Sequence, residues 1–79
     1  MAEKNPYIQQ LAATYSTNLR SYRRAMKLTQ EELAGRVPMD ARHYRRIERG
    51  TALPSVALGY LIAQQLGTTI EELFNGKGE

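Results

Sequence analysis

Residues 29–50 read TQEELAGRVPMDARHYRRIERG, a stretch that predicts two short helices joined by a tight turn. Thr29 followed by Glu32 is a capping box, in which each side chain accepts a hydrogen bond from the backbone N–H of the other residue. A helix should therefore begin here, and Pro38 should end it because the residue before a proline is pushed out of the helical region. Its inner face is predicted to consist of Leu33, Ala34 and Val37.

The second helix of the stretch starts after only two residues. Asp40 is its predicted N-cap, and Gly50 is the glycine that ends it. Tyr44 and Ile47 recur at helical spacing and should face the core. A connection this short forces a large crossing angle, which is the geometry of a helix-turn-helix. The two helices are predicted at residues 29–37 and 40–49.

The outer face of the second helix is rich in arginine. Offsets of three, four and seven residues place four of these side chains along one stripe, made of Arg42, Arg45, Arg46 and Arg49. Like charges this close repel each other, so the stripe favours an anionic partner. Arginine binds phosphate or guanine through two parallel hydrogen bonds, and nucleic acid is therefore the expected partner.

The charges of the chain are concentrated in its middle. Residues 20–49 carry nine cations against four anions, a net charge of +5, whereas the flanking segments together carry −2 and the whole chain +3. A basic centre between mildly acidic ends indicates an anionic partner at one surface of the molecule.

Length and composition predict one domain over residues 1–79, with a flexible tail at 75–79. The chain has no cysteine and a single histidine, His43, so neither a disulfide framework nor a zinc site is expected. No apolar stretch approaches the roughly 20 residues that cross a bilayer, and the N-terminus lacks the apolar run of a secretory signal. We expect a cytoplasmic, nucleoid-associated protein without a cofactor, a metal or a membrane partner.

A longer helix is predicted before the helix-turn-helix. Asn5 and Pro6 suit an N-cap and a first helical residue. The apolar residues that follow at steps of three and four form a stripe, interpreted as core rather than as a cofactor-binding surface: Ile8, Leu11, Tyr15, Leu19, Tyr22 and Met26. An N-terminal extension at 5–14 presents Tyr7, Ile8 and Leu11. Either these three pack on the fourth or fifth helix, which we expect, or they form a dimer contact.

Two more helices are predicted after the helix-turn-helix. Pro54 and Ser55 open the fourth helix, and Gly67 ends it. Its apolar residues are Val56, Leu58, Leu61, Ile62 and Leu66. Thr69 and Glu72 repeat the capping box for a short fifth helix. The fifth helix is predicted to bury Ile70, Leu73 and Phe74. Strand signals are absent, so the sequence predicts an all-α fold of five helices.

The quoted stretch resembles the helix-turn-helix of the Cro/cI-type repressors, also called the xenobiotic-response-element family. The Thr-Gln start, the Leu-Ala pair, the Ile-Glu-Arg-Gly ending and the following Pro54 fall where that family places them. The flanking segments LRSYRRAMKL and SVALGYLIAQQLGTTIEELF are similar to its first, fourth and fifth helices. The resemblance covers about residues 16–74. It implies a five-helix, lambda-repressor-like DNA-binding domain, here with an extended first helix.

The same resemblance implies roles for individual residues. The positions that read base edges would be Ala41, Arg42 and Arg46, with Arg45 beside them at the margin of the groove. The positions that meet phosphate would be Gln30, His43, Arg49 and Thr51. Gln30 would also brace the recognition helix. An interior ion pair that ties the first helix to the recognition helix would be formed by Arg23 and Glu48.

Two residues depart from the family pattern. Pro38 stands where the family usually has a glycine, often at positive φ, and proline cannot adopt that conformation. We therefore expect a different turn, and the resemblance does not define the tilt of the recognition helix. Tyr44 replaces an aliphatic residue, so its hydroxyl must find a partner or reach the surface.

The sequence thus predicts a transcriptional regulator, most simply a repressor, that binds a pseudo-palindromic operator in double-stranded DNA as a homodimer. The alternative is a protein-interaction module of the same fold, such as the antitoxin of a toxin–antitoxin pair. An enzyme is not expected, because the sequence offers no Ser-His-Asp arrangement and no glycine-rich phosphate loop.

Overall fold

Five helices account for most of residues 5–75, the part of the chain that the computed structural model describes. They are α1 (Pro6–Ala25), α2 (Gln30–Arg36), α3 (Ala41–Glu48), α4 (Val56–Gln65) and α5 (Ile70–Phe74). This range contains no strand, so the predicted all-α class is confirmed, and the 20 residues of α1 include the predicted extension. Of the predicted flexible tail, residues 76–79 lie outside the described part.

Side-chain caps explain where α1 and α2 begin. The Asn5 side-chain oxygen accepts hydrogen bonds from the backbone N–H groups of Tyr7 and Ile8, at 2.9 and 3.3 Å. At the start of α2, Thr29 Oγ1 accepts from the Glu32 N–H at 3.0 Å, and the Glu32 carboxylate accepts from the Thr29 N–H at 2.8 Å. The capping box predicted at α2 is therefore present in full, and it satisfies backbone donors that a helix start leaves free.

Two other predicted caps differ from expectation. Asp40 occupies the N-cap position of α3, but its exposed side chain makes no capping hydrogen bond. Thr69 Oγ1 accepts from the Glu72 N–H at 3.1 Å, which is only half of the predicted capping box. The Glu72 carboxylate accepts instead from the Tyr22 hydroxyl at 3.2 Å, so a contact between α5 and α1 replaces the local one.

The core lies where α1, α2, α3 and α4 converge with α5. Its fully buried large side chains come from every helix: Tyr15, Leu19, Leu33, Tyr44, Ile47, Ile62 and Leu73. The predicted inner face of α2 and the two residues predicted to face inward on α3 are all buried. On α4 only part of the apolar set faces the core, because Val56 and Leu61 are exposed. A helix with apolar residues on several sides can bury only one of them against its neighbours.

α5 runs antiparallel along the middle of α1. The Asn18 side-chain amide donates to the Leu73 carbonyl at 2.9 Å, and the rings of Tyr15 and Phe74 lie with their centroids 4.8 Å apart. Because α5 ends at Phe74, it does not reach the first two turns of α1.

Packing of the N-terminal extension against the fourth or fifth helix was therefore the wrong expectation. Tyr7, Ile8 and Leu11 are exposed, at 77%, 49% and 41% of their full surface. Met26, at the other end of the predicted stripe, is exposed as well. Within the described residues, no helix is both long and apolar enough to cross a membrane.

Replacing Thr29 by alanine removes the hydroxyl that caps α2, and the free energy of unfolding should fall by about 1 kcal/mol. Asp40→Ala is the matched control, because Asp40 holds the same position on α3 without a capping hydrogen bond. Its replacement should cost clearly less. Urea unfolding followed by circular dichroism measures both variants, and equal losses would contradict this account of the caps.

Candidate nucleic-acid interface

The connection between α2 and α3 differs from its prediction at Val37. This residue keeps helical backbone angles (φ −69°, ψ −34°) although Pro38 follows it. Its side chain is buried, and its N–H donates to the Leu33 carbonyl at 3.2 Å, so packing and the last helical hydrogen bond hold it in place. α2 ends here, with Val37 as its C-cap, because the following proline has no N–H to donate.

The rest of this connection is closed by the Met39 N–H, which donates to the Ala34 carbonyl at 2.8 Å. The Val37–Pro38 peptide bond is cis. Positive φ angles in the described range occur at Lys27, Gly50 and Gly67, none of which lies in this connection. The turn therefore makes no use of the left-handed conformation that a glycine would supply, which is compatible with proline at position 38.

The face of α3 opposite the core is cationic. Tyr44, Ile47 and Glu48 are the buried residues of this helix. Arg42, Arg46 and Arg49 lie about half a turn away from them and are exposed. Among the hydrogen bonds of residues 5–75, none comes from the guanidinium groups of these three arginines. Three guanidinium groups are thus presented side by side to solvent.

Arg45 is placed differently from the other arginines of the predicted stripe. It is half-buried at the flank of α3, and its Nη1 donates to the Glu31 carboxylate at 3.1 Å. Glu31 lies in the first turn of α2, so this ion pair turns Arg45 towards the neighbouring helix. The pair is exposed and weak, so an anion in front of α3 could compete for Arg45.

The carboxylate of Glu48 fixes α3 from inside the molecule. Arg23 on α1 donates to both of its oxygens, from Nε at 2.6 Å and from Nη2 at 3.2 Å. Gln30 on α2 donates through Nε2 at 2.9 Å, and the hydroxyl of Tyr44 on α3 itself donates to the same carboxylate. One buried anion is therefore held by donors from three helices, and the Tyr44 hydroxyl has its partner.

Sequence reasoning did not find two of the contacts around Glu48. Arg20 Nη1 donates to the backbone carbonyl of Glu48 at 2.6 Å, near the C-terminal end of α3. Arg20 lies one turn before Arg23 on the same side of α1. This three-residue spacing is the signal from which its contact with α3 could have been predicted. The second contact, from Tyr44 to Glu48, follows the four-residue spacing of neighbours on a helix.

The network holds its members in defined charge states. Burial acts to raise the pKa of the Glu48 carboxyl, but hydrogen bonds from Arg23, Tyr44 and Gln30 outweigh it and hold that pKa below its usual value. The hydrogen bond to Glu48 raises the pKa of the Arg23 guanidinium. Burial, reinforced by the bond to Glu48, raises the pKa of the Tyr44 hydroxyl. At neutral pH the network is a carboxylate, a guanidinium and a neutral phenol.

The remaining predicted phosphate contacts surround α3. Gln30 is half-buried with its amide directed at Glu48, and His43 is half-buried on the other flank of α3. Thr51 is exposed, but its hydroxyl donates to the Arg46 carbonyl at 3.0 Å, so its only side-chain proton is engaged. Arg49 is the one exposed cation among the four.

A family model described as helix-turn-helix matches residues 19–73, which span α2, α3 and α4, most of α5 and the second part of α1. This chain belongs to the Cro/cI-type helix-turn-helix family. Members of this family bind DNA and regulate transcription. Residues 5–18, including the exposed start of α1, precede the matched segment.

Relatives and a solved structure agree with this membership. A protein of Methanothermobacter thermautotrophicus is 41% identical over 59 residues, covering 73% of this chain and 86% of the relative. One from Archaeoglobus fulgidus is 38% identical over 58 residues, covering 73% and 83%. Both are named uncharacterized HTH-type transcriptional regulators. The crystal structure of the clp gene regulator ClgR from Corynebacterium glutamicum superposes with a TM-score of 0.74 at 25% identity, covering 80% of this chain and 67% of that one.

Glu48→Gln should lower the free energy of unfolding by about 3 kcal/mol at pH 7, because it leaves the Arg23 charge without its counter-ion. Glu31→Gln is the matched control: it removes one carboxylate from an exposed arginine pair and should cost less than about 1 kcal/mol. Urea unfolding at pH 7 measures both. Similar costs would mean that burial of the Glu48 pair carries no special weight.

The stabilisation by Glu48 should also depend on pH. Because the folded-state pKa of Glu48 is lowered, its contribution is complete above the unfolded-state pKa of about 4.3 and is lost as the pH falls through the folded-state value. The stability difference between the wild type and Glu48→Gln should therefore be constant from about pH 7 to pH 5 and shrink below about pH 4. Unfolding curves across this range measure it, and a difference that grows on acidification would contradict the assignment.

Proposed function

We propose that this protein binds a specific sequence in double-stranded DNA, with α3 in the major groove, and represses transcription by occupying that operator. One observation carries the proposal: Arg42, Arg46 and Arg49 share the solvent-facing side of a helix whose opposite side is clamped by the Glu48 network. The major groove of B-DNA admits an α-helix, and the recognition helix of this motif lies in it.

Arg42 and Arg46 are the proposed readers of bases. Both are exposed and stand one turn apart, with guanidinium groups free to bind guanine O6 and N7 in pairs. Ala41, half-buried at the start of α3, offers a methyl group to a thymine methyl or leaves room for a base. Arg45 joins them at the margin of the groove once DNA displaces Glu31.

Phosphate contacts would position the helix. Arg49 is the strongest candidate because it is exposed and cationic, and His43 lies on the other flank. The side-chain amide of Gln30 donates one hydrogen to Glu48 and has a second one free. Gln30 can therefore brace α3 and bind a phosphate at the same time. Thr51 can do so through its hydroxyl only by giving up the bond to Arg46.

A homodimer on a pseudo-palindromic operator is the proposed assembly, with half-sites about 34 Å apart, one turn of the duplex. Such a molecule acts on chromosomal DNA in the cytoplasm, at the nucleoid, and its chemistry needs no catalytic group. The alternative, a module whose main partner is another protein, predicts DNA binding without base preference. Selection from random oligonucleotides separates the two, because only the first function yields a defined site.

Arg42→Ala and Arg46→Ala should each relax the preference at one base pair of the selected site, by about 1–3 kcal/mol per lost contact. Arg24→Ala is the matched control, since Arg24 is an exposed arginine of α1 and not of α3. Fluorescence anisotropy with the selected duplex and its single-base variants measures the preference. Equal loss of affinity for every duplex would assign these arginines to phosphate.

Arg49→Ala should weaken binding to all duplexes alike and reduce the slope of log affinity against log salt by about one unit. Binding titrations with the selected duplex and with a random duplex, each over a range of salt concentrations, measure this slope. An unchanged slope would remove Arg49 from the proposed phosphate contacts.

A further inference from the structure

The first three turns of α1 carry an apolar stripe that nothing covers within the described residues. Ile8 and Leu11 lie at helical spacing from Tyr15, so they continue the stripe that the core buries further along. Tyr7 lies beside Leu11, one turn earlier on the same side. We call this surface the α1 stripe; it consists of Tyr7, Ile8 and Leu11.

The stripe is open because of where α5 ends. Phe74 is the last helical residue of α5, and its ring meets Tyr15, one turn before Leu11 is reached. Since no side chain of residues 5–75 covers the stripe, the apolar surface of a second molecule can bury it.

The part of α1 that carries the stripe is itself uncharged. Residues 5–19 contain no acidic or basic side chain, in a chain of which 24% is charged. The polar positions next to the stripe are Gln10 and Thr14. A helix face that stays in water usually carries charged residues, so this composition favours a face that meets another protein surface. It offers no charge to attract DNA, an anionic membrane or a charged peptide.

We infer that the α1 stripe is a self-association surface and that its occupant is the α1 stripe of a second copy of this chain. A neutral, apolar surface with amide and hydroxyl groups at its edge is complementary to itself, and a two-fold axis pairs the same surface on both copies. No ion has to leave water when two such surfaces meet.

Charge also selects the way the two helices cross. The second part of α1 carries Arg20, Arg23, Arg24 and Lys27, whereas residues 5–19 carry no charge. An antiparallel crossing centred near Leu11 keeps the two cationic segments at opposite ends of the contact. A parallel pairing over the whole length would bring them side by side at a cost.

The size of the stripe sets the strength of the contact. Three turns of one helix offer less than the roughly 800 Å² per partner of a standard interface, so the free protein should associate weakly. This inference deepens the proposed binding of a two-fold operator, and it rests on that function only for the role of the dimer. Two copies bound to adjacent half-sites would be held at an effective concentration at which a weak contact between their α1 stripes is sufficient.

Sedimentation equilibrium without DNA, up to about 1 mM protein, tests the surface directly. We expect reversible dimers, and at least about tenfold weaker association for Ile8→Glu and for Leu11→Glu, which force two carboxylates into an apolar contact. Val56→Glu and Tyr60→Glu are the controls, since both residues are exposed and apolar but belong to α4. A monomeric wild type at the highest concentration overturns the inference, as does dissociation by the α4 variants alone.

Cysteine cross-linking provides a second readout, because the chain has no cysteine of its own. Leu11→Cys places one thiol at the predicted crossing point, where the two Cα atoms should come within the roughly 4.4–6.8 Å that a disulfide spans. Under mild oxidation it should form a covalent dimer much faster than Val56→Cys at equal concentration. Equal rates would mean that collisions, not the α1 stripe, bring the thiols together.

Failure of this inference and failure of DNA binding remain distinguishable. Circular dichroism and thermal melting first establish that the glutamate variants are folded, as the exposure of Ile8 and Leu11 leads us to expect. A duplex with a single half-site should bind Leu11→Glu as well as the wild type, because one copy suffices there. Loss of that binding in the folded variant would place Leu11 in the DNA contact and overturn its role in self-association.

Discussion

The position of α3 depends on one buried carboxylate. Glu48 receives hydrogen bonds from Arg23 on α1, Gln30 on α2 and Tyr44 on α3, so a single anion ties three helices together. Removing a charge from water is costly, and that cost is offset only when every lone pair finds a donor. The network therefore gains most of its energy in one arrangement of the helices and little in any other. It acts as a geometric constraint more than as a source of stability.

Because the Glu48 network fixes α3, the opposite face of this helix can carry side chains that repel each other. Arg42, Arg46 and Arg49 repel each other, and within the described part of the chain none of them donates a side-chain hydrogen bond. A helix of eight residues would not hold such a face in place by its own propensity. The buried side of the helix supplies the rigidity, through Tyr44, Ile47 and Glu48. A cationic face that is already oriented loses little conformational freedom on binding, which favours affinity for an anion of matching shape.

Features that depend on neighbouring residues in sequence could be predicted, and features that depend on the ends of distant elements could not. The capping box of Thr29 and the apolar spacing of α2 and α3 are local, and they gave the helices almost to the residue. The pairing of Arg23 with Glu48 came from family resemblance, because a charged residue taken alone belongs on the surface. The exposure of Leu11 was missed because it depends on α5 stopping at Phe74, a length that no pattern within α1 records. Val37 was misjudged because its buried side chain overrides the local preference before proline.

The distribution of charge gives the molecule two surfaces with different physical behaviour. All basic side chains in residues 5–75 fall within residues 20–49, whereas residues 5–19 and 50–70 carry no charge. Attraction of the basic region to an anion weakens as salt screens it, whereas burial of the neutral region is strengthened by salts that are excluded from protein surfaces. Contacts of one kind therefore do not compete with contacts of the other, and both can form at once. In the proposed complex on a two-fold operator, these two modest contacts would act together, and the affinity would depend on the spacing of the two half-sites on the duplex.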